Sequence, residues 1–159
     1  GDIMNQDDFR KLCREASVKL GRDNPDELGE TNIIELDDVR MGLFFEAEIA
    51  PDRILCYIDI GKPPVVDREA ILERVLALNL LTATKTAGVY AFDQQSDTLV
   101  FVQHLLFPEL LTGDILAEIL QGYSAHASSL KQNLLDPSNL RPVPEMLVQS
   151  LERNAHGLA

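Results

Sequence analysis

Three histidines, two cysteines and a few neighbouring carboxylates are the groups in this 159-residue chain best suited to catalysis or metal binding. Their spacing argues against both. His104, His126 and His156 fall on separate segments with no Cys or His beside them at metal-ligand spacing. His104 ends a strand pattern and His126 sits among Ala and Ser in a helical one, so solvated or locally bonded imidazoles are expected. Asp37 with Asp38, or Glu46 with Glu48, could share protons or hold a hard cation, but a turn and strand alternation explain these pairs better. Cys13 and Cys56 each lie on an apolar stripe, where a free thiol behaves as a small hydrophobe, so no disulfide is expected. There is no G-x-S-x-G elbow, no phosphate-cradling glycine loop and no calcium loop. The expectation is a chain that is not an enzyme and carries no metal or cofactor.

The elements that carry these residues follow from periodicity. Gly1, Asp2 and Ile3 precede Met4, which reads as the natural start. Phe9, Leu12, Cys13, Ala16 and Leu20 recur along one helix face, and Gly21 stops it. Arg22 to Glu30, rich in Asp, Asn, Pro and Gly, reads as a loop. A short strand, Asn32 to Leu36, turns through Asp37 and Asp38 into a longer one, Val39 to Ile49, in which Val39, Met41, Leu43, Phe45, Ala47 and Ile49 mark one face. Arg53 to Ile60 completes a meander, with Ile54, Cys56, Ile58 and Ile60 on its oily side.

Pro63 and Pro64 end the sheet segment, and Asp67 is placed to cap a second helix running to about Ala83. This helix is apolar on two sides. Ile71, Val75 and Leu78 mark one face and Leu72, Leu76 and Leu80 another, with Glu73, Arg74 and Asn79 as polar interruptions. Such a helix is either central in its own domain or shared with a second chain. Gly88 to Asp93 and Thr98 to His104 form a hairpin. A third helix from Thr112 carries Ile115, Leu116, Ile119, Leu120, Tyr123, Ala127, Leu130 and Leu134 before Asp136 and Pro137 end it. The predicted fold is α+β: helix, three-strand meander, helix, β-hairpin, helix, with a five-stranded antiparallel sheet and the helices packed mainly on one face. Residues 5–135 form the domain, and 136–159 are a C-terminal extension expected to be partly flexible or weakly helical.

Composition narrows the partners. Formal charge is −12, from 26 acids against 14 bases, and no Lys/Arg stripe is present, so nucleic acid is excluded. No apolar run reaches the length of a membrane span, and no leader pattern opens the chain; a soluble cytoplasmic protein is expected. Excess negative charge also favours solubility in a protein that keeps apolar surface exposed.

Leu76-Ala-Leu-Asn79, followed by Gly88, Asp93 and Leu99-Val-Phe101, resembles the type III secretion chaperones of the Tir-chaperone (CesT-like) family. The resemblance covers residues 5 to 135 and agrees with the order of elements. It implies a homodimer built largely through the second helix and the strand after it, binding an unfolded N-terminal segment of a secreted effector protein. Leu72, Val75, Leu76, Asn79 and Leu80 are then the expected dimer contact, because a two-fold copy would cover the spare helix face. Phe44, Leu55 and Tyr57 stand on the strand faces opposite the main apolar stripe and are the expected effector-binding group; the alternative is that they pack under a helix or under the loop Arg22 to Glu30. A client strand at a sheet edge is a further possible mode. Two other readings stand behind this one. One is a regulatory domain like the YbjN-type sensory proteins, and the other, ranked last, is a small-molecule pocket on the sheet face.

Overall fold

Helix α1 (Gln6–Lys19) starts at a reciprocal cap. The Asn5 side chain accepts from the Asp8 amide at 2.8 Å, and the Asp8 carboxylate accepts from the Asn5 amide at 3.0 Å. Two donors that a helix start leaves orphaned are thereby satisfied. Phe9, Leu12, Cys13 and Ala16 are buried along one face, and Gly21 ends the element with φ of 73°. The computed structural model describes residues 3–85 and 88–135, so the C-terminal extension lies outside the described residues.

Helix α2 (Glu27–Thr31) and strands β1 (Ile33–Leu36), β2 (Val39–Phe44) and β3 (Arg53–Gly61) follow. The segment expected to be loop thus ends in one helical turn, because Leu28 is buried to 2% exposure and anchors it. Asp37 and Asp38 join β1 to β2 with φ of 49° and 65°. A two-residue turn with both positions left-handed matches the strand twist, and Asp tolerates that region better than most side chains. The carboxylate pair is therefore explained by turn geometry.

Strand β2 is shorter than its alternation suggests. Phe45 leaves the strand line to stack on Phe9 with ring centroids 5.5 Å apart. The chain then turns at Glu46, whose carbonyl accepts from the Ala50 amide at 2.8 Å, and Ile49 ends 80% exposed. Helix α3 (Arg68–Thr82) leads to β4 (Gly88–Asp93), β5 (Thr98–Leu106) and α4 (Gly113–Leu134). Strand β5 returns between β3 and β4, giving the order β1-β2-β3-β5-β4 with every neighbouring pair antiparallel.

Alternation sorts the sheet into two faces. Met41, Leu43, Ile54, Cys56, Ile58, Leu99 and Phe101 are buried on the inner face. Helix α4 crosses β2 and β3 there, and α1 packs on α4. The two helices approach closely at Gly113, where an added Cβ would lie 2.5 Å from Glu15 Cβ and 2.9 Å from its carbonyl carbon. Each fully buried Leu or Ile of this layer contributes about 1.5–3 kcal/mol, which makes the inner face the main source of stability. The helices thus lie mainly on one face, as the pattern predicts, while α3 sits beside β4.

Candidate protein-binding surfaces

The outer face of the sheet carries the apolar group singled out in the sequence. Register places Phe44 opposite Leu55 and Gly42 opposite Tyr57 between β2 and β3. On the other side of β3, Leu55 faces His104 and Tyr57 faces Val102. Phe44 and Tyr57 meet edge to face at 5.5 Å between centroids. Gly42 permits this, since a Cβ at that position would come 2.8 Å from the Phe44 ring. Leu55 is half-buried, but Phe44 and Tyr57 keep 41% and 38% of their surface exposed. Beside them runs an open groove of about 390 Å³ bounded by Ile33, Phe44, Tyr57 and Val100, with Arg40 and Asp59 among its polar lining.

Helix α3 forms the second surface. Ile71 and Val75 are buried, at 0% and 4% exposure, where the helix packs beside β4. Leu72 and Leu78 are half-buried against the same core. Leu76 and Leu80, one turn apart on the opposite side, are 69% and 62% exposed. Of the five residues expected at a dimer contact, Leu76 and Leu80 thus have most of their surface free, while Val75 is inside the protomer. Asn79 has a local role as well. Its side-chain carbonyl accepts from the Tyr90 amide at 2.8 Å, and its amide donates to the Tyr90 carbonyl at 3.0 Å.

Both sheet edges are therefore engaged by side chains. On β4, Asn79 takes the outward groups of Tyr90 in the manner of a neighbouring strand. On β1, the two-residue turn makes Leu36 and Val39 the closing pair, so Ile33 and Glu35 point their backbone groups outward. The Ile33 amide donates to the Thr31 hydroxyl at 3.2 Å, and the Glu35 carbonyl accepts from Arg22 at 2.9 Å.

The groups with chemical potential are dispersed. Arg53 Nη1 lies 3.3 Å from His104 Nδ1, and since Arg only donates, that ring nitrogen accepts. His126 Nε2 is 3.3 Å from the Tyr90 hydroxyl. No group of three or more His, Cys, Asp or Glu side chains among the described residues could hold a metal ion. Cys13 and Cys56 are buried and unpaired, and burial pushes both thiols up to about 12. Among the described residues no helix is long and apolar enough to cross a membrane.

A five-stranded antiparallel sheet backed by helices, with an open apolar outer face and a half-exposed leucine-rich helix, defines an α+β scaffold with two exposed apolar surfaces. The chain belongs to the Tir chaperone protein (CesT) family, which matches residues 14–131. The resemblance read from the Leu76–Asn79 and Leu99–Phe101 segments and the family match agree. In fold it is similar to a chain in the crystal structure of the ExsC-ExsE complex, with a TM-score of 0.65, 17% identity, and coverage of 83% of this chain and 97% of that one. It is also similar to a chain in the structure of the HopA1-SchA chaperone-effector complex, with a TM-score of 0.55, 16% identity, and coverage of 78% and 93%. No curated protein sequence matches it.

Proposed function

We propose that the protein is a cytoplasmic, non-enzymatic chaperone that acts as a homodimer and holds an unfolded N-terminal segment of a secreted effector extended and soluble. The observation that carries this reading is the exposed outer sheet face centred on Phe44 and Tyr57. Large aromatic side chains that stay open to water on a flat sheet are a recurrent mark of a protein-binding surface. Leu55 pairs with Phe44 and stands two residues before Tyr57 on β3, extending the patch along that strand.

Dimerisation runs through α3 in this proposal. Leu76 and Leu80 meet their copies across a two-fold axis with Leu72 alongside, while Val75 and Asn79 hold the helix to its own sheet from behind. An unfolded segment loses much conformational entropy on binding, so the wider surface of two protomers raises affinity where one sheet face would not suffice. No energy source enters the mechanism: masking apolar client surface is enough to prevent aggregation.

Co-expression with the unfolded N-terminal segment of a type III effector tests the proposal. A soluble complex that co-purifies from wild type, and that a Phe44→Ser, Tyr57→Ser variant of unchanged circular dichroism fails to form, supports it. Equal recovery with the double variant would remove the sheet face from client binding.

A further inference from the structure

The outer-face groove holds a charged group whose bonding is incomplete. Asp59 stands two residues beyond Tyr57 on the same face of β3, and its Oδ1 is shielded from solvent with no hydrogen-bond partner. A carboxylate oxygen that no donor reaches is short of a hydrogen bond, and a cation brought to the same carboxylate offsets that loss. The nearby polar groups give Oδ1 no hydrogen bond. Asp93, which lines the same groove, already accepts from the Ser96 hydroxyl at 2.8 Å and the Gln95 amide at 3.0 Å. Arg40 lines the same groove and, by continuation of the Met41–Ile58 register, falls opposite Asp59, but its side chain stands exposed and makes no hydrogen bond to Asp59 Oδ1.

We infer that the groove takes an extended client segment carrying a Lys or Arg two residues from an apolar side chain, and that Asp59 binds the cation. This rests on the reading of the outer face as the client surface. The spacing follows from strand geometry: Tyr57 and Asp59 are about 6.7 Å apart along β3, and an extended client repeats its same-face side chains at that interval. An apolar residue seated against Phe44 and Tyr57 therefore brings the client's next same-face residue to Asp59. The aliphatic stem of a Lys lies along Val100 while its head meets the part of the Asp59 side chain that lines the groove. The partly engaged edges favour the face as the docking place, because Asn79, Thr31 and Arg22 already bond outward groups of Tyr90, Ile33 and Glu35. Charge complementarity favours a basic segment, since the chain carries −12.

The test uses fluorescein-labelled peptides of alternating Leu and Ser with one same-face Leu replaced by Lys, and matched peptides with norleucine in place of the Lys. Anisotropy titrations compare wild type, Asp59→Asn and Phe44→Ser. The lysine peptide is expected to bind wild type about tenfold more tightly than it binds Asp59→Asn, with the gap narrowing as salt rises. The norleucine peptide should bind both equally. Equal affinity of the lysine peptide for wild type and Asp59→Asn overturns the role of Asp59 while leaving the client surface standing. Failure of every peptide to bind, or indifference of all of them to Phe44→Ser, overturns the client surface and this inference with it.

Discussion

The side-chain amide of Asn79 and the backbone of Tyr90 form a two-bond clasp, at 2.8 and 3.0 Å, that continues the sheet into helix α3. The clasp ties the helix bearing Leu76 and Leu80 to the edge of β4, and it occupies backbone groups that would otherwise invite another strand. Asn79→Ala should lower stability by about 2 kcal/mol, because both Tyr90 groups lose their partner in a half-buried setting. Denaturant titration measures the loss, and amide exchange at Tyr90 should quicken relative to the centre of β5.

Two glycines of α4 predict opposite effects of one substitution. Gly113→Ala forces a Cβ against the Glu15 backbone, so despite the better helix propensity of Ala it should destabilise by about 1–3 kcal/mol. Gly122 is exposed in the same helix with nothing within 4 Å of a new Cβ, so Gly122→Ala should stabilise by about 0.5–1 kcal/mol. Thermal melts of the two variants should therefore move in opposite directions.

The buried thiols set an alkaline limit. Cys13 and Cys56 rise from 9.0 to about 12 in the folded chain, because burial disfavours the thiolate. The unfolded chain ionises first, so the contribution is fully present below about pH 9 and is lost as pH climbs from there toward 12. Tyr123, also pushed up to about 12 by burial and by Cys56, adds to the loss above pH 10. The denaturation midpoint should fall with rising pH in this window, and a Cys13→Ala, Cys56→Ala variant should fall less steeply.

Much of this arrangement was legible from period alone. The helix stripe of Phe9 to Ala16 and the alternation of Val39 to Leu43 each match one geometry, so their buried faces follow directly. Phe44, Leu55 and Tyr57 could be grouped because a meander with short turns brings the polar-side positions of adjacent strands into register. Alternation misleads after Phe44, where Phe45 stacks on Phe9 and a turn replaces the expected strand. Helix α2 depends on the burial of Leu28 alone, too weak a signal against Asp, Asn, Pro and Gly. The bonds of Asn79 and the unmet oxygen of Asp59 depend on tertiary contacts that no hydrophobic pattern encodes.

The proposed pairing of two copies through α3 is tested most directly by the mass of the purified protein in solution, measured by light scattering on wild type and Leu76→Glu. The account predicts twice the 17.7 kDa chain mass for wild type, and 17.7 kDa for the variant, whose charge would be trapped at the two-fold contact. A wild-type protein that stays at the mass of one chain across micromolar concentrations contradicts the shared-helix dimer.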